Sequence, residues 1–139
     1  MSLLSRTLVW ASLSLLLVVG ANAHDTLHYI QAPPDWQKWF GEARTTEESR
    51  PRLAMQGFVW HSCCNHADRV KTQFRVSENK PYVDEWHYLD PTTQKWVRIP
   101  NDIIHYEDDP KMPTQLKIEG VLFVFNGLPT CFWAPQEGG

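Results

Sequence analysis

The placement of three cysteines constrains this chain more than any other feature. Cys63 and Cys64 stand side by side, and Cys131 follows nearly seventy residues later. Adjacent cysteines bond each other only through a strained eight-membered ring, so the expected bridge joins Cys131 to Cys63 or to Cys64. Either choice closes a long loop, which the chain-entropy argument values at roughly 4 kcal/mol. That is a large share of the ~5–15 kcal/mol that stabilises a typical domain. The odd count leaves one thiol over.

A persistent bridge needs an oxidising compartment, and the first segment supplies the route to one. Arg6 is a positive n-region, Leu8–Val19 is an apolar h-region, and Ala21-Asn22-Ala23 is an A-x-A cleavage pattern. Residues 1–23 therefore read as a secretory signal peptide, because the apolar run falls short of the roughly 18–20 residues of a spanning helix. Cleavage removes one positive charge from a chain of net charge −3 and exposes His24 at the mature start. The expected location is periplasmic or secreted, with no transmembrane anchor after cleavage.

Hydrophobic residues make up 42% of the chain, enough to support a core. The near-balance of 13 basic against 16 acidic residues leaves no footprint for nucleic acid. Beyond the polar stretch 24–32, Pro33-Pro34-Asp35 opens a short helix. Asp35 is its expected N-cap, and Trp36, Trp39 and Phe40 share one face. Residues 42–52, charged and Ser/Thr-rich with Pro51, read as a loop. The period then changes to two. Val70–Val76 alternates as the clearest strand, with Val70, Thr72, Phe74 and Val76 on its apolar face. A turn over 77–81, a strand over 83–89, a short strand over 95–99 and a fourth over 103–106 follow, and then an exposed acidic loop around 107–113. Val121–Phe125 and Leu128–Trp133 flank Asn126-Gly127, the strongest short-range hairpin signal. Pro129 points to an edge position for the last strand.

The fold expected is mainly β: a small antiparallel sheet or partly open barrel of about five strands, with a short N-terminal helix, stapled by a disulfide. Its parts are a signal peptide (1–23), an N-terminal extension with the helix (24–54) and a β domain (55–139). Seven Trp suit a small domain that fills its core economically. The competing reading makes Trp86 and Trp96 an exposed stacking platform for a planar ligand.

Chemistry concentrates in Trp60–Asp68. His61, Cys63, Cys64 and His66 are donors for Zn²⁺ or Cu(I), although adjacent cysteines do not converge easily on one ion. His24, once exposed, can chelate copper with its amine and imidazole if one of His28, His61, His66, His87 or His105 approaches. A leftover thiol between His61 and His66 superficially places a nucleophile beside a base. There is no C-x-x-C pair, Ser62 lacks a G-x-S-x-G context, and Asp84/Glu85 and Glu107/Asp108/Asp109 read as solvated charge. No catalytic residue is assigned.

His24-Asp25, Cys63-Cys64-Asn65-x-x-Asp68, Ile99-Pro100 and Cys131-Phe132 together resemble a group of small exported proteins of rhizobia and related proteobacteria, over most of the mature chain. The group carries no established activity. Relatives have a further Cys after the Asp and another before the last hairpin, where this chain has Arg69 and the Gln115-Leu116-Lys117 region. The joint loss of those two implies that they pair with each other, which supports Cys131 pairing within the doublet. The leading functional expectation is a non-catalytic binding or envelope-associated structural module without a cofactor, its partner an envelope protein or a small ligand. The alternative is a periplasmic copper- or zinc-binding protein using His61, Cys63, Cys64 and His66, with His24.

Overall fold

A computed structural model describes residues 31–77 and 85–136. The expected signal peptide (1–23), His24, His28, residues 78–81 of the expected turn and the first two residues of the expected 83–89 strand lie outside the described residues. The elements in order are helices α1 (Pro34–Glu42) and α2 (Arg50–Met55), strands β1 (Asp68–Val70), β2 (Phe74–Ser77), β3 (Glu85–Leu89) and β4 (Trp96–Arg98), a 3-10 turn (Asn101–Ile103), helix α3 (Thr114–Glu119), and strands β5 (Val121–Phe125) and β6 (Leu128–Trp133). They form two antiparallel three-stranded sheets, ordered β1-β5-β6 and β2-β3-β4. The fold is mainly β, with six strands in two open sheets rather than about five in one, and no closed barrel among the described residues.

The β5–β6 hairpin is the central piece. Asn126 and Gly127 adopt φ of 47° and 79°, the left-handed pair of a type I′ turn. Val121, Phe123, Cys131 and Trp133 join one core cluster, with Trp39, Phe40 and Leu53 of the helices and Phe58. Leu122 and Phe132, on the opposite face, join a second with Tyr88, Ile99, Ile103 and Ile104. The hairpin is thus covered on both faces, which explains why β5 reads as a continuous apolar run instead of alternating. A register shift between Phe123 and Val124 leaves Thr130 as the extra residue of a bulge. Its buried hydroxyl donates to the Phe123 carbonyl (3.2 Å).

Several local expectations are corrected. Asp35 is not the N-cap of α1: the helix begins at Pro34, with Pro33 before it and no side-chain cap. Proline suits the first turn because its missing N–H has no intrahelical partner there. Asp35 instead places its charge in that turn, where the helix dipole favours it. Part of the expected 42–52 loop is the start of α2, in which Pro51 occupies the first turn rather than breaking a helix.

The run 70–76 is not one strand. β1 pairs with β5, β2 pairs with β3, and the chain crosses between the sheets at Lys71–Gln73. Hydrogen bonds hold the crossing: the Thr72 hydroxyl donates to the Leu89 carbonyl, and the Leu89 N–H to the Gln73 carbonyl. Alternation survives such a crossing, so the sequence pattern conceals the break. Val76 is consequently exposed rather than part of a core face. The strand expected over 103–106 reduces to a single parallel bridge, Ile104 to Phe132, after the 3-10 turn. The His105 N–H donates to the Phe132 carbonyl (2.8 Å), which covers part of the otherwise open edge of β6. Helix α3 follows the acidic loop and ends at Gly120, φ 73°. A Cβ there would lie 2.8 Å from the Pro135 ring, so both conformation and space demand glycine.

Candidate functional site

The bridge is Cys63–Cys131, with Cα atoms 5.9 Å apart, and Cys64 is the free thiol. Backbone pairing makes the choice within the doublet. The Cys63 N–H donates to the Ala43 carbonyl, and Arg44 pairs with Ser62. Cys63 is fully buried in the first core, while Cys64 is half-buried. On the opposite side, Cys131 lies across from Phe123 in the hairpin.

The other donors of that segment spread apart. His61 is exposed, and its carbonyl accepts the Thr45 N–H (2.8 Å). His66 stacks on the Trp60 ring, centroids 3.8 Å apart. Burial first, and the Asp68 charge second, push the Cys64 thiol up to about 11. It is therefore protonated at neutral pH, the reverse of an activated nucleophile. His87 is half-buried in β3, with Nδ1 against the Glu85 carbonyl (3.2 Å).

His105 stands apart from this segment in sequence but not in space. A ring nitrogen of His105 and the sulfurs of Cys63 and Cys131 lie within 4.8 Å of one another, the group of three potential metal donors found among the described residues. The imidazole lies flat on Trp133, centroids 3.9 Å apart and planes within 3°. Its Nε2 is buried and without a hydrogen-bond partner. Burial pushes its pKa down to about 4, against the upward pull of Asp109 and of a hydrogen bond to the Arg44 backbone. The bridge turns His105 and Cys63 from distant residues into neighbours, and nothing in the linear pattern singled His105 out from the other histidines.

A cleft of about 320 Å³ opens where β1 gives way to β2, lined by residues 69–72, Phe74, Glu119 and Gly120. The Arg69 guanidinium sits 5.2 Å from the Trp36 ring centroid and 5.9 Å from that of Phe40. Its Nη2 donates to Glu119 Oε2 (2.9 Å), and its buried Nε has no partner. These contacts leave the Arg69 side chain only 13% exposed. Lys71, in the crossing, is exposed. Hydrogen bonds from Gln115 and Arg69 hold the Glu119 carboxyl below its ordinary range, so it stays ionised. The Arg69-x-Lys71 alternation was the available sequence signal, but the helix that completes the cleft was not foreseen.

Trp86 packs edge-on against Phe132, 5.6 Å between centroids, alongside the second core. Arg75 lies over the Trp96 ring at 4.2 Å, and both indoles are half-buried. No helix among the described residues is long and apolar enough to cross a membrane. Comparison with protein-family models, curated proteins and solved structures finds no match.

Proposed function

We propose that this chain is a small exported, non-catalytic binding module that takes a ligand with an anionic group, a carboxylate or phosphate, into the cleft at the crossing from β1 to β2. The carrying observation is the Arg69 guanidinium, fixed by two aromatic rings and one carboxylate at the wall of that cleft. A guanidinium held in place loses little freedom on binding, and its planar fork suits carboxylate and phosphate oxygens. Lys71 adds a second positive charge at the rim, and Phe74 supplies an apolar wall. Glu119 opposes the anion in part, favouring a ligand that also carries a donor. The protonated Cys64 thiol supports a binding role over a thiol enzyme.

The test is calorimetry of the secreted protein with short dicarboxylates, amino acids and phosphate monoesters. Saturable binding that weakens at least about tenfold in Lys71→Ala and in Arg69→Lys is expected, as for loss of one charge-assisted hydrogen bond. Binding that is unchanged in both variants, or no binding across the panel, refutes the assignment. Intact-mass measurement of the periplasmic protein checks export, with cleavage after Ala23 as the expected result.

A further inference from the structure

Cys63 and Cys131, joined as a bridge, and His105 beside them are also three potential metal donors within 4.8 Å of one another. When a metal is held by two thiolates, metal–sulfur distances of about 2.3 Å set the sulfurs roughly 4 Å apart. Two Cα atoms 5.9 Å apart allow that separation through side-chain rotation, with the backbone unmoved. The third donor is already in place. His105 is held by its stack on Trp133, and its buried Nε2 has no hydrogen-bond partner.

We propose that the reduced form of this protein binds one Cu(I) ion between Cys63 Sγ, Cys131 Sγ and His105 Nε2, so that the bridge and the metal are alternative occupants of one buried site. The choice of ion follows from donors and access. Two thiolates and one imidazole satisfy three-coordinate Cu(I), a soft ion that thiolates select. Zn²⁺ wants a fourth ligand, and the group found among the described residues offers three. This site is distinct from the His61-x-Cys63-Cys64-x-His66 set and does not depend on the anion cleft.

The exchange balances. An external dithiol gives two electrons and two protons to the Cys63–Cys131 bond and becomes a disulfide itself, leaving two thiols. Each thiol then loses its proton as Cu(I) binds. Reoxidation by a disulfide carrier takes two electrons from the sulfurs, re-forms the S–S bond and releases the ion.

The test uses the full mature chain, reduced with a dithiol, freed of reductant and titrated anaerobically with Cu(I) against a chromophoric Cu(I) chelator. One Cu(I) per reduced chain and none per oxidised chain is the expected result, with two sulfurs and one nitrogen by X-ray absorption. His105→Phe, which keeps a ring on Trp133, should weaken binding by about 10–100-fold, whereas Cys64→Ala and His61→Ala should leave it unchanged. Affinity that survives His105→Phe, or that falls with Cys64→Ala, overturns the assignment. So does Zn²⁺ binding tighter than Cu(I), or a reduced chain whose near-ultraviolet dichroism is lost and is not restored by Cu(I).

Discussion

The two faces of the β5–β6 hairpin are built differently. On one face, Val121, Phe123, Cys131 and Trp133 meet two helices, Phe58 and the bridge, in a cluster of thirteen buried residues that includes Met112 and Leu116. On the other, Leu122 and Phe132 meet four further buried residues, a cluster of six, and the covering sheet contributes mainly half-buried side chains: Phe74, Trp86 and Val97. The first face is cross-linked and dry. The second is held by a small sheet whose β2 and β4 carry no fully buried residue. Stability should therefore be uneven, with the second sheet opening at lower cost than the first core.

Removing the bridge tests this most severely. Cys131→Ser should cost roughly 4 kcal/mol by denaturant unfolding, against under about 1 kcal/mol for Cys64→Ser. Equal effects would mean the cross-link does not set the difference. Next come matched truncations on the two sides. Phe123→Ala, in the first core, should cost about 3–5 kcal/mol, and half-buried Phe74→Ala about half of that. Hydrogen exchange should show β2–β4 amides exchanging before those of β5 if the second sheet opens separately.

Acid gives a third contrast. His105 belongs to the first face, and its imidazole is neutral when folded, with a pKa near 4 instead of 6.5. A depressed histidine pKa means that the unfolded chain takes up the proton first, so stability is full above about pH 6.5. It is then lost as pH falls toward 4, by about 2–3 kcal/mol after allowing for partial exposure. His105→Phe should flatten that part of the profile. The loss at lower pH, where Asp108 and Glu119 with their depressed pKa values take up protons, should remain. The smallest effect belongs to the outer sheet: Arg75→Ala removes a cation over Trp96 and should cost no more than about 1 kcal/mol.

How much was readable beforehand depended on how local each signal was. Asn126-Gly127 between two apolar runs specifies its hairpin within thirteen residues, and Trp36, Trp39 and Phe40 reveal the buried face of α1 in a single turn and a half. Helices α2 and α3 span six residues each, with Leu53 and Leu116 as their buried residues. Such pieces have too little periodicity to announce themselves and are held by packing. Of the candidate site, the bridge was legible as a pairing of Cys131 with one of two neighbours. The cleft was not, since Arg69 and Glu119 are fifty residues apart and meet only through the fold.

The sequence by itself determined that the chain would be mainly β, that its last two strands would form a tight hairpin, and that Cys131 would reach back to the doublet. Each rests on turn chemistry, alternation or covalent geometry carried within short stretches. Only the tertiary structure decided that Cys63 rather than Cys64 faces inward, that 70–76 divides between two sheets, and that His105 stands beside the bridge. Those outcomes depend on which backbone groups find partners and which faces are covered, and such competition is settled between segments rather than within them.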